Sequence, residues 1–213
     1  MEQTLRWGGL ILCGGRSQRM GEDKACLPFG EETMLQRVLR LMLEGLQGTP
    51  PIVVAAAAGQ RLPALPASVL LAEDAVAGAG PVEGLCAGLR RLSGTCDAAV
   101  VTSCDVPLLV PGVLPILQQA LGNHDAAVVA EPGGQLHPLC AAWRVAAVSE
   151  IERLNASGER RLKGILGQLR TVVVPAADLA RVDPQLDSLW NVNDRQSYTA
   201  ALKRADLRAR CES

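Results

Sequence analysis

Gly9-Leu10-Ile11-Leu12-Cys13-Gly14-Gly15-Arg16-Ser17-Gln18-Arg19-Met20-Gly21-Glu22-Asp23-Lys24 is the stretch on which the reading of this chain turns. Residues 9–12 form a short apolar run of the kind that makes a buried strand. The strand ends in Cys13-Gly14-Gly15, and glycines at 14, 15 and 21 allow the backbone to approach a ligand with its N–H groups turned inward. Arg19 and Lys24 add fixed positive charge. Such a loop suits a polyphosphate. It is neither G-x-x-x-x-G-K-[ST] nor G-x-G-x-x-G, so neither of those phosphate-binding patterns describes it.

Working outward, short apolar runs alternate with longer segments of helical period. That alternation is the mark of βαβ units and predicts an α/β fold, a mostly parallel sheet with helices on both faces. A helix is predicted over 33–46, where Met34, Leu35, Val38, Leu39, Leu41, Met42 and Leu46 make the apolar face. Strands follow at 52–56 and 69–71. Pro63 and Pro66 leave little room between them for a crossover helix. A helix over 81–92 turns Leu85, Gly88, Leu89 and Leu92 inward, and the strand 98–102 runs into Ser103-Cys104-Asp105-Val106-Pro107. The rest reads as a helix over 111–121 that starts on proline, strands at 126–130 and 139–143, helices near 146–155 and 162–169, a strand at 171–174 and a last helix over 195–207. Residues 1–213 are expected to form a single domain.

Composition sets the outer bounds. The chain has 213 residues, 48% hydrophobic and 20% charged, which is ordinary globular usage. A net charge of −1 argues against a broad nucleic-acid or polybasic membrane surface. At 2% aromatic, a base-stacking platform is excluded and the core must be aliphatic. Seven cysteines without a C-x-x-C spacing, and two histidines in all, argue against a zinc site or a disulfide framework. No apolar run approaches the ~18 residues of a spanning helix. The run at 10–13 is too short for a signal-peptide core. A reduced cytoplasm is the expected location, with no membrane and no nucleic-acid partner.

In an open α/β sheet, ligands bind at the carboxyl ends of strands where the strand order reverses. With order 3-2-1-4, the first and fourth strands are neighbours there, so the loop 13–24 and the segment 103–107 converge on one crevice. A carboxylate at Asp105 can hold a hard divalent cation beside substrate phosphates. The same residue also suits the opening of a turn into Pro107.

The segment from Gly14 to Lys24 resembles the signature G-G-x-S-x-R-M-G-x-D-K of nucleotidyltransferases related to the molybdenum cofactor guanylyltransferases. The resemblance continues through Glu73-Asp74, Gly80-Pro81-Val82-Glu83-Gly84, Cys104-Asp105-Val106-Pro107, His137-Pro138-Leu139, Gly158-Glu159-Arg160-Arg161 and Asn191-Val192-Asn193-Asp194. It implies a Rossmann-like fold, Mg-GTP as substrate with Mg²⁺ as cofactor, and transfer of GMP to the terminal phosphate of molybdopterin with release of pyrophosphate. It further implies that the backbone of Leu12, Cys13, Gly14 and Gly15 meets base and ribose. Arg19 and Lys24 would then meet phosphates, Asp74 and Gly80 belong to the nucleotide site, and Asp105 carries the metal. Asn191 and Asn193 fall to the pterin side or brace its wall, and transient contact with cofactor-supplying or acceptor proteins is implied.

Three positions depart from the pattern. Cys13 stands where alanine is usual, and Ala55-Ala56-Ala57-Ala58 occupies a place where some members carry an asparagine on the nucleotide. Val82-Glu83 replaces two small apolar residues, with Glu83 expected to face solvent. His137 is read either as an acceptor contact or as a structural histidine, and Arg160 and Arg161 either as a phosphate site or as an exposed basic helix start. Trp7, Trp143 and Trp190 are expected to pack structurally, with a place in the pterin pocket as the other reading of Trp190. Two further functional readings stay open at this stage. One is a related nucleotidyltransferase using CTP or another phosphate acceptor; the other is a nucleotide-binding regulator without turnover.

Overall fold

The computed structural model describes residues 4–13, 23–74 and 80–211, the side chains of Asp74 and of residues 207–211 excepted. The opening apolar run is strand β1 (Trp7–Leu12), buried from Gly8 onward. A small hairpin of β2 (Pro28–Phe29) and β3 (Glu32–Thr33) follows, which the hydrophobic pattern does not announce. Helix α1 (Met34–Gly45) starts on a capping box: the Thr33 hydroxyl accepts from the Gln36 N–H, and the Gln36 side chain accepts from the Thr33 N–H. Next come β4 (Ile52–Ala57) and β5 (Val69–Asp74), paired in parallel and joined through residues 58–68 with no helix, as the prolines predict.

The chain continues through α2 (Pro81–Leu92), β6 (Ala98–Ser103), α3 (Val113–Leu121), β7 (Ala126–Ala130) and β8 (Leu136–Arg144). It ends with α4 (Val148–Ala156), α5 (Leu162–Leu166), β9 (Thr171–Pro175), α6 (Ala176–Leu179) and α7 (Arg195–Cys211). Among the described residues one seven-stranded sheet forms, in the order β5-β4-β1-β6-β8-β7-β9. Its first four strands are all parallel and reproduce the 3-2-1-4 order. Strand β8 inserts antiparallel between β6 and β7, so the sheet is mixed.

Alternation along β1 feeds two cores. Ile11 packs with Leu35, Val38 and Met42 of α1 and Leu114 and Leu117 of α3 on one face. Leu10 and Leu12 pack with Leu85 and Leu89 of α2, Trp143, and Ile151 of α4 on the other. A smaller third cluster joins Leu27, Phe29, Met34, Leu108, Val192 and Ala201, with Tyr198 of α7 packed against it. The Tyr198 hydroxyl donates to the Pro28 carbonyl, which ties the C-terminal helix to the β2–β3 hairpin.

Several expectations shift. The helix predicted from Pro111 begins at Val113, because Val113 and Leu114 first donate to the carbonyls of Val110 and Pro111 in a tight turn. The helix predicted over 162–169 stops at Leu166, where the Gln168 N–H bonds to the Ile165 carbonyl only three residues back and the i→i−4 ladder ends. Glu83 does not face solvent: its side chain is 17% exposed and accepts a 2.6 Å hydrogen bond from Asn155. Trp143 is fully buried, and Trp190 packs under the Arg204 guanidinium, 5.6 Å from ring centroid to carbon.

Gly88 marks where α2 lies hard against the sheet. A Cβ there would stand 2.2 Å from the nearest Leu10 methyl carbon, and Leu10 is fully buried. Gly88→Val is therefore expected to lower stability by about 3 kcal/mol through overpacking. A urea midpoint unchanged from wild type would show that the helix has room to stand off.

Candidate active site

Strands β1 and β6 run side by side with Leu12 opposite Ser103, so residues 13 and 104 meet at their carboxyl ends. The Cys104 N–H donates to the Leu12 carbonyl at 3.0 Å, and the Cys13 N–H to the Ala55 carbonyl at 2.7 Å. Both thiols are buried. A hydrogen bond with Cys104, reinforced by burial, holds the Cys13 thiol well above the ordinary cysteine range. It is therefore a protonated filler under the crevice, not a nucleophile.

Asp105 follows immediately. Its Oδ1 accepts from the Ser103 hydroxyl at 2.5 Å, and its backbone carbonyl accepts from the Val192 N–H at 2.8 Å. Its Oδ2 lies 3.4 Å from the Lys24 ammonium, which also donates to Asn193 Oδ1 at 2.9 Å. Lys24 opens a 3-10 turn (Lys24–Cys26) capped by the Asp23 side chain, which accepts from the Ala25 N–H. Three distant parts of the chain thus converge on one partly buried ion pair. Gln60 braces the same corner: its Nε2 donates to the Cys13 carbonyl at 3.0 Å and to Asp23 Oδ2 at 2.8 Å.

Gly14, Gly15 and Arg19 lie outside the described residues. Asp74 ends β5, two strands from β1, with its side chain outside the description. Gly80 has φ +93°, open only to glycine, and precedes Pro81 at the first turn of α2 with no side chain capping that end.

Beside this corner runs a cleft of about 870 Å³ lined by His137, Arg160 and Asn191, with Val106 and Pro81 on its near side and Lys163 also on its wall. His137, Arg160 and Asn191 therefore share one surface, and Arg161 lines it too. Asn193 does not; it is held on the Lys24 side. Trp190 is likewise absent from the lining. His137 Nε2 is 2.6 Å from Glu131 Oε1, a partner that sequence reading missed because it lies across the β7–β8 turn. The Ser103 hydroxyl, Gln60 and Asn155 were missed too. Each acts through a contact invisible in local sequence, although Ser103 borders the motif at Asp105.

Among the described residues no three His, Cys, Asp or Glu side chains gather into a metal cluster. The donor set at Asp105 is one carboxylate beside a hydroxyl. It fits a hard divalent cation that takes its other ligands from substrate phosphates and water. No described helix is long and apolar enough to cross a membrane.

The profile of the MobA-like NTP transferase domain matches residues 9–173. A probable molybdenum cofactor guanylyltransferase of Mycolicibacterium paratuberculosis is 33% identical over 193 residues, 88% of this chain and 95% of that protein. The crystal structure of molybdopterin-guanine dinucleotide biosynthesis protein A from Archaeoglobus fulgidus superposes with a TM-score of 0.73 at 24% identity, covering 95% of this chain and 98% of that one. The same fold is shared by 2-C-methyl-D-erythritol 4-phosphate cytidylyltransferase from Thermus thermophilus, with TM-score 0.64, 15% identity, and 97% and 100% of the two chains covered.

Proposed function

The chain belongs to the family of the MobA-like NTP transferase domain, and from that premise we propose that it joins GMP from Mg-GTP to the terminal phosphate of molybdopterin and releases pyrophosphate. It is a nucleotidyltransferase, and the family works with a divalent metal. The observation that carries the reading is the meeting of Lys24, Asp105 and Asn193 at the carboxyl ends of β1 and β6, directly beside a cleft lined by His137, Arg160 and Asn191.

In this reading Asp105 would hold Mg²⁺, which when bound neutralises charge on the phosphates of the nucleotide. Lys24, aimed by Asn193, pairs with phosphate oxygens, and Arg19 adds a second positive group. The backbone of Leu12, Cys13, Gly14 and Gly15, together with Asp74 and Gly80, receives the nucleoside. The acceptor lies in the neighbouring cleft, where Arg160 takes its phosphate and His137 and Asn191 line its ring system. The acceptor oxygen attacks the α-phosphorus in line, opposite the leaving pyrophosphate. No general base is needed, since the nucleophile is already a phosphate anion. The residues supply position and charge, which is what phosphoryl chemistry asks of a protein. Residues 1–213 act as a single domain in the cytoplasm, in transient contact with proteins that supply the pterin or receive the finished cofactor.

Calorimetry with Mg²⁺ tests the nucleotide half. GTP is expected to bind, with ATP and CTP competing poorly. Equal affinities for the three nucleotides would leave a phosphate site standing and remove the guanylyl assignment.

A further inference from the structure

Glu83 sits in the first turn of α2, on the side of that helix that faces α4. Its Oε1 accepts a 2.6 Å hydrogen bond from Nδ2 of Asn155, a residue 7% exposed in the last turn of α4. The other end of the same amide, Oδ1, accepts at 2.9 Å from Nη1 of Arg160. Between Asn155 and Arg160 the chain reverses through Gly158, at φ +105°, with its N–H bonded to the Asn155 carbonyl at 3.1 Å. A carboxylate, a carboxamide and a guanidinium thus stand in series, and the guanidinium lies on the wall of the acceptor cleft.

The order of these groups matters. A carboxylate bonded directly to Arg160 would occupy its donors and compete with any incoming phosphate. Here Glu83 Oε1 forms a longer ion pair with Nη1 at 3.8 Å, balancing the guanidinium charge without occupying an N–H donor, while the neutral amide takes the hydrogen bond. The bond to Asn155 is the one side-chain hydrogen bond that the guanidinium makes among the described residues, so most of its five N–H donors remain for a ligand. The carboxylate also fixes which way the amide faces, because only Nδ2 can donate to it. The direction of Arg160 is thereby set by a residue on a different helix.

We propose that Glu83 and Asn155 are positioning residues for the acceptor, holding Arg160 so that its free N–H groups meet the anionic end of the pterin substrate. This rests on the acceptor reading of the cleft. It assigns a task to Glu83, which the sequence pattern leaves as an exposed departure. Preorganising a long side chain removes the cost of ordering it on binding, and so acts on acceptor affinity, not on the chemical step.

Steady-state pyrophosphate release, with GTP and molybdopterin varied in turn, tests it. Arg160→Ala is expected to raise the acceptor KM about 30-fold, the loss of one charge-assisted contact. Glu83→Ala is expected to raise it about tenfold, with the GTP KM and kcat unchanged, from a misdirected but still present guanidinium. Glu83→Gln keeps an oxygen for Asn155 and should stay within about threefold of wild type. The double variant Glu83→Ala/Arg160→Ala should be no worse than Arg160→Ala alone, since Glu83 acts through Arg160. Additive losses, a parallel rise in the GTP KM, or a wild-type acceptor KM in Glu83→Ala would each overturn the positioning role. An unchanged acceptor KM in Arg160→Ala would instead overturn the acceptor reading itself, and this inference with it. Should Glu83→Ala melt below the assay temperature, Glu83→Met fills similar volume without an acceptor for Asn155 and takes its place in the cycle.

Discussion

Asp105→Asn should abolish metal-dependent turnover while leaving the protein folded. Asparagine keeps an oxygen to accept from the Ser103 hydroxyl, and the backbone carbonyl that receives the Val192 N–H is untouched. The ammonium of Lys24 keeps its 2.9 Å bond to Asn193. What disappears is the charge that a hard cation requires of its one protein carboxylate. A loss on the order of 10³-fold in kcat, or roughly 4 kcal/mol of barrier, is expected at any practical Mg²⁺ concentration. The melting temperature should move only slightly. Wild-type turnover at limiting Mg²⁺ would take the metal away from Asp105 and leave that residue as the opener of a turn.

Lys24→Ala is the second large effect, and it separates rate from stability. The Lys24 side chain is 18% exposed and begins a short turn whose cap, Asp23, is a different residue, so truncation leaves the capped turn in place. Asp105 keeps its hydrogen bond from the Ser103 hydroxyl, so its carboxylate is not left without a partner. If the ammonium stabilises charge on the transferring phosphate, kcat should fall about 10²–10³-fold, roughly 3–4 kcal/mol, as when a preorganised donor to an oxyanion is lost. A lysine that merely balances Asp105 would leave kcat unchanged. Turnover within a factor of two of wild type, at saturating GTP and molybdopterin, would remove Lys24 from the reaction.

Much of this architecture is legible in the sequence, and the reasons are local. The 3.6-residue period of 34–46 and the proline start at 81 announce α1 and α2. The brevity of the apolar runs at 9–12, 52–56 and 98–102 marks buried parallel strands, whose neighbours follow the usual 3-2-1-4 order of doubly wound sheets. Strand direction carries no such signature. Cys140–Trp143 of β8 is as buried as its neighbours β6 and β7, and the reversal of this strand depends on the turn at 131–135. Lys24 and Asp105 could be named from the motifs that contain them. The partners Glu83 and Asn155 could not, being 72 residues apart and joined only because α2 packs on α4. Glu83 was misread for the same reason: a charge at a helix start looks solvent-facing until the neighbouring helix arrives.

The bond between Lys24 and Asn193 spans 169 positions, and the helix that follows Asn193 is tied back to the β2–β3 hairpin by Tyr198. During translation Lys24 therefore waits for the 169 positions that separate it from Asn193. At about 5–20 residues per second, the interval between synthesis of the two partners is roughly 10–30 s. The parallel strands β1, β4, β5 and β6 can assemble in that time, but the corner of Lys24, Asp105 and Asn193 stays unfinished. A chain stopped before Asn193 carries β1 and β6 but lacks the residue that holds the Lys24 ammonium, so completion of this corner is coupled to synthesis of the segment around residue 193.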